Sequence, residues 1–356
     1  MPDQVDQIQQ LIKIGNIVLV VGDITQDNLG IDTEVLRAIQ LETTVVVHAA
    51  ANISFVMPLT VAVEDNCLSS LRLAALAKDM PRLKAYVHVS TAYANSFLPD
   101  GYVDEKVYDL SGRPEAELSK ILSTGKTEYL PQFAWPYAYS KQITERLLMS
   151  RYPSLPVLIV RPSCIGPALF APYPLYGPDG SSPGQTMFSR MMRPVGKKNA
   201  EAKYYSAVDG DNILDEIPVD IAANVILRHV HANTRGVVHA TSAYYIPRSA
   251  GWMYWQLERC LPPSWFARIS RPVFTDDPNA EFCKEARFYS INGRNWHFHA
   301  PSTKLLGHVD SPLNPDLEEH DIEDFWELRL RTLFIKTYGQ EKWNEHWEKS
   351  KVCARL

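Results

Sequence analysis

The stretch that decides the fold is LKAYVHVSTAY, residues 83–93, an apolar run that ends in the hydroxyls of Ser90 and Thr91. Three other stretches have the same apolar form, namely NIVLVVG (16–22), TTVVVHAAAN (43–52) and LPVLIVRPSCIG (155–166). Strands that are apolar on both faces are typical of a parallel sheet with helices on each side. The four stretches therefore predict such a sheet.

Amphipathic helical patterns separate these stretches, at residues 5–13, 29–41, 61–79 and 139–151. The alternation of helix and strand predicts an α/β fold. After about residue 166 the pattern changes to a loop rich in proline and glycine, APYPLYGPDGSSPG. Later segments predict a short helix at 186–192, a helix in IPVDIAANVILRHV capped near Asp220, a strand in GVVHATS and a helix at 320–337. We expect this part to form a second, smaller and mostly helical lobe.

The composition excludes several classes of protein. A net charge of −5 without a dense basic run argues against a nucleic-acid surface. No apolar run is long enough to span a membrane, and the polar N-terminus does not resemble a signal peptide. We therefore expect a cytoplasmic protein, and association with a membrane surface or an organelle stays open. The scattered cysteines, without CxxC spacing, indicate reduced thiols and no metal site: Cys67, Cys164, Cys260, Cys283 and Cys353.

The most informative short motif is Tyr137-Ala-Tyr-Ser-Lys141. Residues four apart on a helix share a face, so the lysine ammonium is expected close to the Tyr137 phenol. Such an ammonium favours the phenolate and lowers the tyrosine pKa from about 10. A tyrosine of this kind can exchange a proton with a substrate oxygen. The motif is short, and the alternative is a helix that begins with aromatic residues by chance.

Polar or small residues stand at the ends of all four predicted strands. They are Ser90 and Thr91, Arg161–Ser163, Gly22–Ile24 and His48–Ala51. Ligands of parallel α/β sheets collect at the carboxyl ends of the strands. A hydroxyl there can bind a carbonyl or alkoxide oxygen. The alternatives are a capping or turn role for Ser90 and an ordinary turn at Asp23; His48 and His88 are interpreted as core or strand-edge histidines.

The order of the motifs resembles the extended short-chain dehydrogenase/reductase superfamily, above all the fatty acyl-CoA reductases and thioester-reductase domains. The resemblance is carried by GDI, VVVHAAANISF, EDNCLSSLRLAALAK, YVHVSTAY, YAYSK, IVRPSCIGP and IPVDIAANVI. It covers residues 10–250 and, more faintly, 290–345. It implies a Rossmann-like reductase domain over 1–245, with a core at 14–166 and substrate-lobe insertions after 166, and a helical C-terminal region over 246–356.

The resemblance also implies a chemistry. A nicotinamide cofactor reduces the thioester of an acyl-CoA or a carrier-bound acyl chain to an aldehyde or alcohol, in lipid or secondary metabolism. By motif position, Tyr137 is the proton donor, and Lys141 holds the nicotinamide ribose and tunes the tyrosine. Thr91 hydrogen-bonds the reacting oxygen, with Ser90 as the second choice. Family habit favours NADPH, and NADH stays open.

The resemblance assigns the remaining cofactor contacts, from the adenine to the nicotinamide end, to Asp23, Ile24, Ala49, Ala50, Pro162 and Ser163. Asn66 occupies the place of a family asparagine near the active site. It is expected to support Lys141 through a water molecule, or else to be a helix N-cap.

The family begins with a strand, a TGxxGxxG turn, a helix and a second strand, and residues 1–15 are too short to supply them. The fold is therefore predicted to be N-terminally truncated, with an exposed sheet edge. A first exon missing from the gene model, a variant that no longer binds dinucleotide tightly, and a second chain that supplies the missing part are the three explanations.

Two other functions stay open at this point. One is a ketone or sugar-nucleotide dehydrogenase of the same fold, although the proline-rich loop after Arg161-Pro162-Ser163 favours the acyl-type relatives. The other is a catalytically impaired, cofactor-poor scaffold that binds partners through its exposed sheet edge. The sequence leaves the oligomeric state and the length of the acyl chain undecided.

Overall fold

The computed structural model describes residues 2–177, 182–196, 200–243, 245–282, 286, 290–307, 313 and 321–353. The chain divides into two compact units, the first made of Met1–Leu98, Glu105–Arg161 and Arg228–Val238, and the second of Pro99–Asp104, Pro162–Leu227 and His239–Leu356. This division runs through the reductase domain predicted over 1–245, and that domain boundary stays a prediction.

The described helices are α1 (Pro2–Lys13), α2 (Thr33–Glu42), α3 (Leu59–Ala62), α4 (Ser69–Ala77), α5 (Pro114–Thr124), α6 (Pro136–Arg151), α7 (Pro183–Met191), α8 (Val219–His231), α9 (Ala250–Cys260), α10 (Pro263–Phe266), α11 (Pro301–Leu305), α12 (Ile322–Tyr338) and α13 (Gln340–Cys353). The described strands are β1 (Val45–His48), β2 (Ala85–Val89), β3 (Gly101–Val103), β4 (Val157–Pro162), β5 (Cys164–Gly166), β6 (Glu201–Tyr205), β7 (Glu216–Pro218), β8 (Gly236–Ala240), β9 (Arg271–Thr275) and β10 (Trp296–Phe298).

A sheet with the strand order β1-β2-β4-β8 forms the centre of the first unit. β1 pairs with β2 in parallel from Val45↔Ala85, and β2 pairs with β4 in parallel from Tyr86↔Val157. Leu158, Ile159 and Val160 of β4 are fully buried, because this strand has neighbours on both sides and helices over it. The predicted Rossmann-like α/β fold is therefore confirmed.

The prediction of a strand at residues 16–22 is wrong. This segment joins no sheet, and its apolar side chains are open to solvent: Val18 is 75% and Val21 is 94% exposed. β1 lies at the edge of the sheet with β2 as its only neighbour in the described chain, and residues 16–22 do not pair with its open edge. An apolar run without a neighbouring strand cannot satisfy its backbone groups as a strand.

The predicted helix over 61–79 is interrupted. α3 and α4 are joined by a π-helical turn, Val63–Leu68, whose residues Val63, Asn66 and Cys67 are buried. π-helical turns inside α-helices are frequently found at functional sites. α6, predicted over 139–151, begins three residues earlier with Pro136 in its first turn, where a proline costs no hydrogen bond.

The second unit combines helices with three parallel strand pairs, β3–β10, β5–β7 and β6–β9. α7 and α12 pack together, and Asp321 caps α12 by accepting the amide hydrogens of Glu323 and Asp324. Asp220, predicted near the cap of its helix, lies in the first turn of α8, which begins at Val219. Its carboxylate accepts the backbone N–H groups of residues 169–171, and it thereby anchors the proline-rich loop to α8. Residues 178–181 of that loop lie outside the described residues.

Two sequence predictions concern the whole chain. Among the helices that the structure describes, none is long and apolar enough to cross a membrane. Cys67, Cys164 and Cys260 carry free thiols, as predicted, and Cys283 lies outside the described residues.

Candidate active site

Lys141 is the best-positioned residue of the predicted site. It projects from α6 and is 1% exposed, and its Nζ donates a hydrogen bond of 2.8 Å to the carbonyl oxygen of Val89. Val89 is the last residue of β2 and directly precedes Ser90 and Thr91. The ammonium therefore lies at the carboxyl end of a central strand.

Tyr137 lies one helical turn before Lys141 and is half-buried. Burial raises the pKa of its phenol to about 12, which contradicts the lowered pKa predicted from the neighbouring ammonium. The Lys141 ammonium is directed to the carbonyl of Val89, and the Tyr137 hydroxyl forms no hydrogen bond within the described chain. Burial lowers the pKa of Lys141 to about 8. At neutral pH the phenol is thus fully protonated and suited to donate a proton.

The two hydroxyls after β2 have different partners. Ser90 Oγ donates to Glu145 Oε1 at 2.5 Å, so its hydrogen is occupied. Thr91 Oγ accepts the backbone N–H of Tyr93 at 3.3 Å and caps the 3₁₀ turn Ala92–Asn95. This contact leaves the hydroxyl hydrogen of Thr91 for another acceptor. The structure therefore favours Thr91 over Ser90 as the group that could reach a substrate oxygen.

A buried ion pair holds Ser90 in place. Arg161 Nε and Nη2 donate to Glu145 Oε1 and Oε2 at 2.9 and 2.5 Å, and both side chains are almost completely buried. Arg161 stands at a predicted strand end, and its partner Glu145 was not predicted from the sequence. Spacing alone could have suggested Glu145 as a residue of the site, because it follows Lys141 by four residues and therefore lies on the same face of α6.

Asn66 links α6 to the loop after β1. Its Nδ2 donates to Ser140 Oγ at 3.1 Å and to the Asn52 carbonyl at 3.0 Å, and its Oδ1 accepts the Asn52 N–H at 2.8 Å. Ser140 Oγ in turn donates to the Tyr137 carbonyl at 2.7 Å. Asn66 lies inside the π-helical turn, so the N-cap interpretation is wrong. Its contacts hold the first turn of α6 and the loop after β1 together.

His48 and His88 are core residues, as predicted. Their rings meet edge to face at 5.6 Å, and both are almost completely buried. Burial, with the nearby Lys141 ammonium, lowers the pKa of His48 to about 4 and holds that of His88 well below its ordinary value. Both imidazoles are therefore neutral near pH 7. His48 shares a hydrogen bond of 3.0 Å with Ser70 Oγ.

An aromatic cluster beside Tyr137 was not predicted. Phe55 stacks on Trp135 with ring centroids 4.2 Å apart, and Phe55 also approaches the Tyr137 ring at 6.2 Å. Tyr93 meets Trp135 edge to face at 6.5 Å. These residues come from three separate segments, so only the fold brings them together. The cluster forms an apolar wall next to the Tyr137 phenol.

The predicted cofactor contacts fall into three groups. Ala49 and Ala50, just after β1, are exposed, and their small side chains allow a flat ring to reach the backbone. Asp23 lies on an exposed turn, where its carboxylate accepts hydrogen bonds from Thr25 and Gln26. That arrangement matches the alternative of an ordinary turn residue. Ile24, beside it, is half-buried. Pro162 and Ser163 belong to the second unit.

The residues present fit one end of a nicotinamide dinucleotide better than the other. Lys141, Thr91 and the open backbone at Ala49 fit the nicotinamide and ribose end of a dinucleotide. Asp23 and Ile24 lie in a segment outside the sheet, so the structure gives no comparable support for an adenine site there. Within the described residues, no group of three or more His, Cys, Asp or Glu could hold a metal ion.

Comparison with known proteins gives a consistent family. The sequence profile of the NAD-binding family described as "Male sterility protein" matches residues 3–226. A putative fatty acyl-CoA reductase of Drosophila melanogaster is 31% identical over 161 residues, 43% of this chain and 30% of the relative. The human fatty acyl-CoA reductase 2 is 27% identical over 213 residues, 58% of this chain and 39% of the relative. The chain thus spans less than half the length of these relatives.

Solved structures with similar folds extend beyond that family. The terminal R domain of the myxalamid biosynthetic pathway has a TM-score of 0.58 at 18% identity, over 92% of this chain and 76% of that domain. The UDP-glucuronic acid 4-epimerase of Bacillus cereus, solved with NAD, has a TM-score of 0.55 at 14% identity, over 89% of this chain and 80% of the epimerase. At such identities the likeness establishes the fold alone.

Proposed function

The chain belongs to the male sterility family of NAD-binding proteins, and from this premise we propose that it is an NADPH-dependent reductase of acyl thioesters, with an acyl-CoA as substrate. The observation that carries the proposal is the Lys141 ammonium, one helical turn after Tyr137, bound to the carbonyl of Val89 at the carboxyl end of β2, two residues before Thr91. The names of the relatives, which are fatty acyl-CoA reductases, support the choice of substrate.

A bound nicotinamide would supply a hydride to the thioester carbonyl carbon. The residues of this chain would then manage the charge and the proton on the carbonyl oxygen. Tyr137, with a pKa of about 12, is protonated at neutral pH and can donate its proton to that oxygen. Thr91 can donate a second hydrogen bond from its uncommitted hydroxyl hydrogen. Breakage of the C–S bond in the resulting adduct, with the proton passing to the departing thiolate, would then release the free thiol and leave the aldehyde.

Lys141 would hold the ribose hydroxyls and contribute positive charge near the developing oxyanion. Its hydrogen bond to Val89 O fixes the direction of its side chain before any ligand arrives, and such preorganisation is a main source of electrostatic stabilisation. A supporting role falls to Ser90, Glu145 and Arg161, because their mutual hydrogen bonds hold the strand end that carries Thr91.

The test compares two tyrosines of one helix. Oxidation of NADPH by the purified chain is followed with palmitoyl-CoA as substrate, and NADH is measured in parallel. Tyr137→Phe is expected to lower kcat/KM at least 100-fold through loss of the proton donor. Tyr139→Phe is the matched control, because the Tyr139 hydroxyl contacts Glu117 and Thr127 at 3.4 Å, away from Thr91.

Equal rates for the two variants would refute the role of Tyr137. A chain that neither oxidises NADPH nor changes the fluorescence of added NADPH would refute the reductase proposal as a whole. A higher kcat/KM with NADH than with NADPH would refute the cofactor assignment while leaving the reductase activity in place.

A further inference from the structure

The loop after β1, residues 49–55, connects two parts of the candidate site. Near its start, the backbone at Ala49 is exposed, and this is where the cofactor was predicted to approach. At its end, Phe55 stacks on Trp135 with ring centroids 4.2 Å apart and lies 6.2 Å from the Tyr137 ring. The position of this loop therefore sets where both parts lie. We call it the β1 loop.

Asn52, in the middle of the β1 loop, forms hydrogen bonds with both its side chain and its backbone. Its Nδ2 donates to Asp65 Oδ2 at 2.9 Å, and its Oδ1 accepts the backbone N–H of Ser54 at 3.1 Å. Its backbone N–H and carbonyl bind the Asn66 side chain at 2.8 and 3.0 Å. Asn52 thus ties the β1 loop to the π-helical turn and also closes a turn within the loop.

The π-helical turn presents two successive residues to the same partner. Side chains of neighbouring residues on a regular α-helix point to different sides of the helix. Here the side chains of Asp65 and Asn66 both bind Asn52. Their turn closes over one residue more than an α-helical turn does, and such turns recur at functional sites. The interruption of the helix therefore coincides with its contact to the β1 loop.

A simpler explanation covers one of these contacts. Asparagine side chains commonly accept the backbone N–H two residues later, and the Ser54 contact has this form. Such a turn does not require Nδ2 to reach another element. The bond from Asn52 to Asp65 spans 13 residues of the chain, and no other described group donates a hydrogen bond to the Asp65 carboxylate. A local turn does not account for this contact.

We propose that Asn52 is a positioning residue whose bond to Asp65 holds the β1 loop in the conformation that receives a nicotinamide cofactor. The inference rests on the proposed function for the identity of the cofactor. Asn52 acts through the loop and not through contact with the reacting atoms. A loop that already has its binding conformation binds more tightly, because the apparent affinity falls with the fraction of molecules in that conformation.

An exchange of amide and carboxylate between the two positions tests the bond. Asn52→Asp keeps an acceptor for the Ser54 N–H but places two carboxylates against each other, so the loop should lose its attachment. The dissociation constant of NADPH, measured by fluorescence titration of the full chain, should rise about tenfold, the lower end of what a hydrogen bond to a charged group contributes. The double variant Asn52→Asp/Asp65→Asn restores the bond with donor and acceptor exchanged, and should bind NADPH within about twofold of the wild type.

Two controls separate the bond from other effects. A negative charge at position 52 would also repel the phosphates of NADPH, but the double variant carries the same charge there, so its recovery excludes repulsion as the cause. Asp32→Ala removes two hydrogen bonds elsewhere in the first unit, because Asp32 accepts the N–H groups of Glu34 and Val35 at the start of α2. This variant should leave the dissociation constant of NADPH unchanged.

Amide hydrogen exchange examines the loop without any cofactor. The peptide covering residues 50–56 should exchange about tenfold faster in Asn52→Asp than in the wild type, because the loop opens more often once the bond is lost. The double variant should return the exchange rate to that of the wild type. Equal rates in all three chains would show that the bond does not hold the loop, and would overturn the inference.

NADPH binding separates this inference from the proposed function. If Asn52→Asp binds NADPH as the wild type does, or if the double variant does not recover binding, the positioning role of Asn52 is refuted and the reductase function stands. If the wild-type chain does not bind NADPH, the proposed function is refuted. The exchange rates alone then decide whether Asn52 holds the β1 loop.

Discussion

Residues 16–22 and residues 157–161 are both rich in β-branched apolar residues, but only the second stretch forms a buried strand. In the first stretch, NIVLVVG, Val18 and Val21 are 75% and 94% exposed, and no strand forms. In the second, VLIVR, every side chain is buried and the strand has a partner on each side. Apolar, β-branched residues give a segment the capacity to form a strand. Neighbouring strands decide whether that capacity is used.

The largest change in stability is expected when the ion pair at the end of β4 is broken. Glu145→Gln leaves the Arg161 guanidinium buried without its charged partner, so the free energy of unfolding should fall by about 3–5 kcal/mol. Glu115→Gln breaks an exposed pair with Arg151 and should cost less than about 1 kcal/mol. Urea denaturation of the two variants measures both. Equal losses would show that Arg161 is solvated in solution.

A second test shortens one apolar side chain to alanine in each of the two stretches. Ile159→Ala in β4 should lower the free energy of unfolding by about 2–5 kcal/mol through lost burial and a cavity. Val21→Ala should change it by less than about 0.5 kcal/mol, because the side chain is already exposed. Both values come from denaturant midpoints at constant slope. A cost above about 1 kcal/mol for Val21→Ala would mean that residues 16–22 pack against something in solution.

The third test uses pH at the carboxyl ends of β1 and β2. The pKa of His48 is about 4 in the folded chain and about 6.5 in the unfolded chain. Between these two pH values the unfolded chain therefore binds a proton that the folded chain does not bind. Stability should therefore fall as the pH drops from about 6.5 to about 4, by up to about 1.4 kcal/mol per pH unit for this group.

His48→Gln keeps a partner for Ser70 and should flatten that slope by one proton. The steeper wild-type slope is measured from urea midpoints at intervals between pH 4 and pH 7. An unchanged slope in the variant would show that His48 titrates equally in the folded and unfolded chain.

The smallest expected effect on stability concerns the exposed stretch. The double variant Val18→Lys and Val21→Lys should leave the free energy of unfolding within about 0.5 kcal/mol of the wild type. It should raise the concentration at which the chain first aggregates, because it removes an exposed apolar patch. Light scattering at increasing concentration checks this. If aggregation is unchanged, the surface responsible for it lies elsewhere. The open edge of β1 is then the next region to examine.

The sequence predicted the parts of the fold that depend on local pattern. Helical spacing identified α2, α6 and α8, and unbroken apolar runs identified β1, β2 and β4. The same rule failed at residues 16–22, because a periodic pattern carries no information about ladder partners. Spacing also placed Tyr137 and Lys141 on one face. It could not show that Lys141 binds the Val89 carbonyl, since that contact depends on how α6 packs over β2.

Features assembled from distant segments were beyond the sequence. The lowered pKa predicted for Tyr137 relied on a nearby Lys141 ammonium, whereas that ammonium is directed to the Val89 carbonyl and burial raises the pKa of the phenol. The contacts between Arg161 and Glu145, and between Asp220 and residues 169–171, join polar groups whose pairing only tertiary structure reveals.

The π-helical turn at Val63–Leu68 also affects how this chain should be aligned with its relatives. Such a turn accommodates one residue more than an α-helical turn does. A relative with an uninterrupted helix here would carry one residue fewer between Pro58 and Ala77. The matching gap then belongs inside the helix, where gaps are customarily forbidden. Placing it in the next loop would shift every column from Asn66 to Ala77 by one and conceal the equivalence of Asn66, which binds Ser140 of α6.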